Sequence, residues 1–333
     1  MAPDLLLKLA VNRLPGHQGR KKRHFSDSCR DEGDLRAASA AYMASMGRRA
    51  PEEAVTADGL LRTAEADLRR MTASGIRVSF LGADGYPPML ERIFDPPFAL
   101  FRRGEALFDE KPAVAVVGTR RPTMPAHRQS FRVALGFAAA GYPVVSGLAF
   151  GIDRSAHEGA LAGRGATWAV LAGGLDRPSP FANRPLAYRI LDAGGALLGE
   201  MPPGSFPVKY AFPRRNRILS GLCRGCVVIQ APERSGALIT ADFALEQNRD
   251  LYVASSGIEG PFSEGTRRLE AQGAPVVEDA ADVMGDWGRF LDVRMVRELG
   301  EPESPGDLVA RMRSELNGRL HRYMGGSFEY RGA

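Results

Sequence analysis

Gly118-Thr119-Arg120-Arg121-Pro122-Thr123 gathers two guanidiniums, two hydroxyls and a tight turn within six residues. At a strand-to-helix junction such a turn exposes backbone N–H groups beside the cations, a combination that holds phosphate. The segment is neither GxGxxG nor GxxxxGK[ST], and no acid follows about twenty positions later to take a ribose hydroxyl, so dinucleotide binding is disfavoured. Two solvated arginines on a turn explain the motif equally well. A second turn, Ser146-Gly147-Leu148-Ala149-Phe150-Gly151-Ile152-Asp153, carries two glycines that permit close approach of a ligand backbone. Asp153 and His157 stand one helical turn apart as a candidate acid/base pair. The commoner roles for such residues are a cap and a local hydrogen bond.

The densest charge lies between Lys209 and Arg224, where Lys209, Arg214, Arg215, Arg217 and Arg224 meet no acid. Phe206, Tyr210 and Phe212 interleave it, and aromatic rings beside a basic groove stack unpaired bases while the cations take phosphates. A solvated helix face is the plain alternative. Ser235 to Ala241 opens a further helix with small and hydroxyl residues, suited to a phosphate or to simple capping by Ser235. Cys223 and Cys226 form a lone CxxC without a second pair for zinc, at a helix-to-strand exit unlike that of redox motifs. His17, His24, His127 and His321 show no ligand spacing. Near the start, Leu14-Pro15-Gly16-His17-Gln18-Gly19 and the basic run Arg20 to Arg23 read either as a hairpin offering amides and cations to a DNA backbone or as a loose basic tail.

These segments need a scaffold, and its rhythm is legible. Apolar runs at Ala113–Val117, 143–146, Thr167–Leu171, 196–198, 225–229, Asp250–Ala254 and 275–277 alternate with helical patterns near 125–140, 151–163, 184–193, 214–221, 238–248 and 264–272. Near-continuous apolar strands separated by helices predict an α/β fold with an extended Rossmann-like, doubly wound, mostly parallel sheet, which binds ligands beyond the C-terminal strand ends. The expected organisation is a helical module over 1–75, an extended lead-in over 76–110 punctuated by Tyr86-Pro87-Pro88 and Asp95-Pro96-Pro97, the Rossmann-like domain over 111–284, and a tail over 285–333. In the tail Ser304 and Pro305 are placed to start a helix, and GGSFEYR reads as a single strand.

The chain has 333 residues, 44% hydrophobic and 25% charged, which excludes disorder by composition. Its formal charge of +5 equals that of the first fifty residues alone, and equals that of the stretch from Lys209 to Arg224. The sum is too small to prove an anionic partner; its segregation matters more. Three cysteines supply no disulfide framework, the short apolar start interrupted by Lys8 and followed by a basic run does not read as a signal peptide, and no apolar run reaches membrane length, so a cytoplasmic, non-membrane protein is expected.

Taken in order, GTRRPT, SGLAFGID with Ala156-His157 behind it, LAGGLD, FPRRNRILSGL and SGALITADFAL resemble the DprA/Smf family of DNA-processing proteins, over about residues 64 to 284. FPRRNRILSGL together with SGALITA is the specific signature. The resemblance implies a non-enzymatic protein that needs no cofactor or metal. It would bind single-stranded DNA without sequence preference, protect incoming strands, form homodimers and load RecA during natural transformation in competent cells. It places the phosphate-binding turn on Gly118, Thr119 and Arg120, with Arg121 beside them. Lys209, Phe212, Arg214, Asn216 and Arg217 supply the basic motif, and Ser146, Gly147 and the helix start at Gly236 line the same edge. LPGHQG departs from the family's LPGxG, Ser256-Gly257 replaces its usual Pro-Gly, and the tail resembles a shortened winged helix. The rival reading is a nucleoside-monophosphate phosphoribohydrolase, to whose loop SGALITADFALEQ bears a loose likeness, with Glu246 acting on the ribose.

Overall fold

A computed structural model describes residues 3–16, 18–45, 56–108, 111–288, 296–300 and 304–330. His17 of the LPGHQG segment and the last residue of GGSFEYR, Arg331, lie outside them. Four helices come first: α1 (Pro3–Asn12), α2 (Gly19–Ser28), α3 (Glu32–Ser45) and α4 (Ala57–Ser74). Thr56 caps α4 by accepting the Gly59 N–H at 3.2 Å, and Gly75 ends it at a φ of +63°, where a residue without Cβ costs least. The lead-in then supplies β1 (Ile76–Phe80), the single turn α5 (Pro88–Glu91) and β2 (Ala99–Gly104).

From there strands and helices alternate: β3 (Ala113–Val117), α6 (Met124–Ala139), β4 (Val144–Ser146), α7 (Ile152–Ala162), β5 (Thr167–Leu171), α8 (Arg184–Asp192), β6 (Ala196–Gly199), α9 (Ala211–Gly221) and β7 (Cys223–Val228). They continue as α10 (Gly236–Glu246), β8 (Asp250–Ala254), α11 (Glu264–Ala271), β9 (Val276–Val277) and α12 (Ala280–Asp286). Nine strands form one sheet in the order β1-β2-β6-β5-β4-β3-β7-β8-β9. The seven from β6 to β9 run parallel, as the apolar runs imply, while β1 and β2 add an antiparallel edge, with Phe101 opposite Gly199. The lead-in is therefore part of the sheet, a role its proline punctuation concealed.

Strands apolar at every position serve two layers at once. Ala115, Val117, Val145, Val170, Leu198 and Val228 pack with Ile218 and Leu219 of α9, Leu238 and Ala241 of α10, and Leu269 of α11. Their strand neighbours Val114, Val116, Val144 and Val227 face Val133 and Phe137 of α6, Ala156 of α7 and Val283 of α12. On the same side, Ala169, Leu171 and Leu197 meet α8 and the N-terminal helices through Leu186, Ile190, Leu60 and Leu9. This period-two division between two helical layers is the doubly wound architecture.

The basic run near the start is neither a tail nor an exposed hairpin. It forms α2 and is spent on the body of the protein: Arg20 donates to the carbonyls of Glu91 and Ile93 at 3.2 Å each, and Lys22 Nζ to that of Asn12 at 2.6 Å. Arg23 pairs with Glu91 at 3.4 Å. A Cβ on Gly19 would stand 1.9 Å from the Pro96 carbonyl oxygen, so the glycine of this hairpin serves packing against the lead-in. Burial drives the Lys22 amine down to about 8.

At the other end β10 (Val296–Leu299), α13 (Pro305–Leu316), β11 (Leu320–Tyr323) and β12 (Gly326–Tyr330) make a small antiparallel sheet, ordered β10-β12-β11. Ser304 caps α13 by accepting the Asp307 N–H at 3.1 Å. Phe328 is buried against Phe131 and Leu135 of α6, and the Tyr323 ring stacks on Phe131 with centroids 4.4 Å apart.

Candidate functional site

Strand order places the site. From β3 the chain winds one way through β4, β5 and β6, and from β7 the other way through β8 and β9, so the loops leaving β3 and β7 diverge. At such a switch point a crevice opens beyond the strand ends. A cavity of about 490 Å³ occupies it, walled by the turn after β3, the start of α9, the loop after β7 and the start of α10. Among the expected residues, Gly118, Thr119, Arg120, Arg121, Phe212, Asn216 and Gly236 all line it.

The turn is built to be rigid. Thr119 N–H donates to the Gln230 carbonyl at 2.8 Å, Arg121 N–H to Thr119 Oγ1 at 3.2 Å, and Thr123 Oγ1 caps α6. Gly118 is required because a Cβ would lie 2.6 Å from Ile152 Cγ1. Gly151, at φ +75°, passes so close that its Cβ would meet the Thr119 carbonyl oxygen at 2.5 Å. Of the glycines in the second turn, this one supports the first turn instead of a ligand. Arg120 lies over the Phe212 ring, 5.6 Å from its centroid, a cation–π geometry that holds the guanidinium at the rim. Ser235 caps α10 by accepting the Ala237 N–H at 3.2 Å, and Asn216 Nδ2 donates to the Gly236 carbonyl at 3.2 Å, tying α9 to that helix start. Nothing lies within 4 Å of where a Gly236 Cβ would be, so the positive end of α10 opens on the cavity.

The acid-free stretch behaves differently once folded. Arg217 is buried, with Nη2 2.6 Å from Glu200 and Nε 3.3 Å from Asp95; Arg214 shares Glu200 at 3.3 Å. Arg215 is buried too, donating to the Val170 carbonyl at 2.7 Å, and a Cβ on Gly147 would stand 1.8 Å from its Nη1. Gly147 therefore makes room for an arginine of the protein's own. Arg224 pairs with Asp250 at 3.6 Å and covers Trp287 at the opposite end of β7. Lys209 is exposed ahead of α9, outside the cavity lining. Ser146 is buried with its hydroxyl donating to the Val116 carbonyl at 2.7 Å. Like Lys209, the residues Ser146, Gly147, Arg214 and Arg217, expected from the sequence on the same edge, are not part of this cavity's lining.

The acid/base and metal alternatives dissolve for physical reasons. His157 is fully buried, bonded through Nδ1 to Thr167 Oγ1 at 2.7 Å, and burial, aided by the Arg215 charge, pushes it down to about 3. It stays neutral and does not line the cavity. Asp153 does border the cavity, but it accepts the N–H groups of Gly147 at 3.1 Å and Ala149 at 3.3 Å and serves the turn. Burial raises its carboxyl, against the pull of Arg215. Cys223 and Cys226 are buried, and burial raises both thiols, that of Cys226 to about 12. Among the described residues no cluster of His, Cys, Asp and Glu could hold a metal. Glu246 is exposed at the last position of α10, about 15 Å along the helix from the end that opens on the cavity. The phosphoribohydrolase reading fails on that distance.

Arg234 and Phe262 line the cavity and went unnoticed in the sequence. Arg234 immediately precedes the Ser235 cap, a position that signals its exposure at a helix start. Phe262 follows Gly260-Pro261, and nothing local marks it. Arg120, Arg121 and Arg234 are exposed and make no ion pair among the described residues.

Residues 77–288 match the family described as DNA recombination-mediator protein A. Over 210 residues the chain is 37% identical to DNA processing protein DprA of Bacillus subtilis, spanning 63% of this chain and 70% of that one. The X-ray structure of DprA from Streptococcus pneumoniae superposes with a TM-score of 0.64 at 30% identity, covering 86% of this chain and 98% of that one. A structure of DNA processing protein A from Helicobacter pylori, described for its single-stranded DNA binding mode, gives a TM-score of 0.57 at 27% identity over 65% of this chain and 98% of that one. No helix among the described residues is long and apolar enough to cross a membrane.

Proposed function

This chain belongs to the DNA recombination-mediator protein A family, whose members are mediators and not enzymes, and we propose that it binds single-stranded DNA without sequence preference at the β3/β7 cavity. The observation that carries this reading is the convergence of three guanidiniums without an ion pair among the described residues, Arg120, Arg121 and Arg234, with the open N-terminus of α10 and the Phe212 ring on one rim. Cations and a helix N-terminus attract phosphates of any sequence. A ring beneath them stacks on any base, because every base has a π face. A duplex keeps its bases stacked inside and gains only the phosphate contacts, so the rim favours single strands.

On this reading the protein protects incoming strands and loads RecA during natural transformation, acting as a homodimer; these finer roles rest on family membership. A gel-shift comparison of single- and double-stranded oligonucleotides tests the site. Wild type retards single strands preferentially, and the double variant Arg120→Ala/Arg234→Ala, which removes two cations of the cavity rim, binds much more weakly. Equal affinity of variant and wild type at both low and moderate salt would sink the assignment.

A further inference from the structure

Phe262 reaches the cavity from a segment that none of the sequence motifs covers. It is 53% exposed and its φ is +63°. A bulky residue is uncommon in that region of backbone space, and a ring left half in water gains little from burial, so two unfavourable features coincide at one position. Such a conformation persists only where its surroundings impose it. Here they do. Gly260 turns the chain at φ +78°, Ser263 Oγ donates to the Glu259 carbonyl at 2.9 Å, and Thr266 Oγ1 to that of Ser263 at 3.0 Å.

The main restraint is Gln230, fully buried just beyond β7. Its Nε2 donates to the Pro261 carbonyl at 3.0 Å, while its Oε1 accepts the Thr123 N–H at 2.9 Å and its own carbonyl accepts that of Thr119. One side chain therefore fastens the loop carrying Phe262 to the turn carrying Arg120.

We propose that Phe262 is a second stacking platform, so that the cavity takes an unstacked nucleobase between it and the Phe212 side of the rim, and that Gln230 is the positioning residue that sets the spacing. Pro232 and Ile239 complete apolar walls, and the volume lies within the roughly 300–1,000 Å³ of small-ligand sites. The proposal rests on the single-stranded DNA reading above, and deepens it by assigning a base subsite next to the phosphate rim.

A single-stranded oligonucleotide carrying one 2-aminopurine, whose fluorescence falls on stacking, provides the test. Phe262→Ala is expected to weaken binding about five- to hundredfold and to abolish the protein-induced quenching, with Phe262→Tyr restoring both. Phe262→Gly removes the ring and the backbone strain together, so it melts no lower than Phe262→Ala and still binds weakly. Gln230→Glu keeps the acceptor for Thr123 and loses the donor for Pro261. It is expected to lose quenching while retaining the salt dependence of the rim. If Phe262→Ala binds and quenches as wild type does while Arg120→Ala weakens binding, the base subsite is overturned and the phosphate rim stands. If wild type itself binds no single strand, both fall.

Discussion

Two groups of cations in this protein meet opposite fates. The stretch from Lys209 to Arg224 holds five cations and no acid in its own sequence, yet Glu200, Asp95 and Asp250 arrive from other segments to pair with Arg214, Arg217 and Arg224, and Arg215 lies buried beside Asp153. The rim of Arg120, Arg121 and Arg234 is assembled from two separate turns and has no acid partner among the described residues. The first region supports the site from beneath; the second presents charge to a ligand. A buried cation contributes little field outside, because its partner cancels it at short range, whereas unpaired cations around a concave rim concentrate their potential where a strand would lie.

Breaking the paired region should cost the fold most. Arg217→Ala takes from Asp95 its ion-pair partner and leaves Glu200 with Arg214 alone, and is expected to lower unfolding free energy by up to about 3–5 kcal/mol in urea titration, with binding per folded molecule largely kept. Loss of affinity without loss of stability would instead place Arg217 among the ligand contacts. The converse is the triple variant Arg120→Ala/Arg121→Ala/Arg234→Ala. Its stability should stay within about 0.5 kcal/mol of wild type, while affinity for single strands falls on the order of 10- to 100-fold at low salt. The slope of log affinity against log salt should shrink by about 2, near 0.7 per phosphate contact on a single strand. An unchanged slope would mean that the rim is not where phosphates bind.

Near neutral pH the smallest effect is that of acid, which grows only as pH falls. His157 sits beside Arg215 with its folded value pushed down to about 3, below the ordinary 6.5 of an unfolded histidine. Between those values the unfolded chain binds the extra proton, so this group's contribution to stability is present above about pH 6.5 and is lost as pH falls toward 3. Relative to His157→Asn, wild type should lose at most about 1.4 kcal/mol per pH unit across that window. A parallel pH profile for the two proteins would contradict the burial argument. Rim binding near neutral pH should not share this dependence, since its cations are arginines.

How far the residues themselves reveal this arrangement depends on the range of the interactions. The core strands β3, β5 and β8 have the bounds that their apolar runs imply, and the helices from α6 to α11 begin and end within a few residues of the periodic segments. β1 and β2 were hidden because antiparallel strands at the margin of a sheet need no continuous apolar run. The turn at Gly118–Arg121 and the helix start at Ser235-Gly236 were legible because turn and cap chemistry is local. Ser146 and Gly147 misled for the same reason: small residues beside a strand end signal close approach, without saying whether a ligand or Arg215 approaches.

What the sequence by itself determined is the order of elements from β3 to α11, the doubly wound class and the edge at which the cavity opens, since periodicity, glycine turns and caps act over a few residues. The tertiary structure alone decided which cations remain free. Glu200 reaches Arg217 across 17 positions, and Gln230 joins turns that lie far apart in the chain. Such pairings follow from how the layers pack, and so the charge that counts at the rim is a property of the folded surface and not of any window of residues.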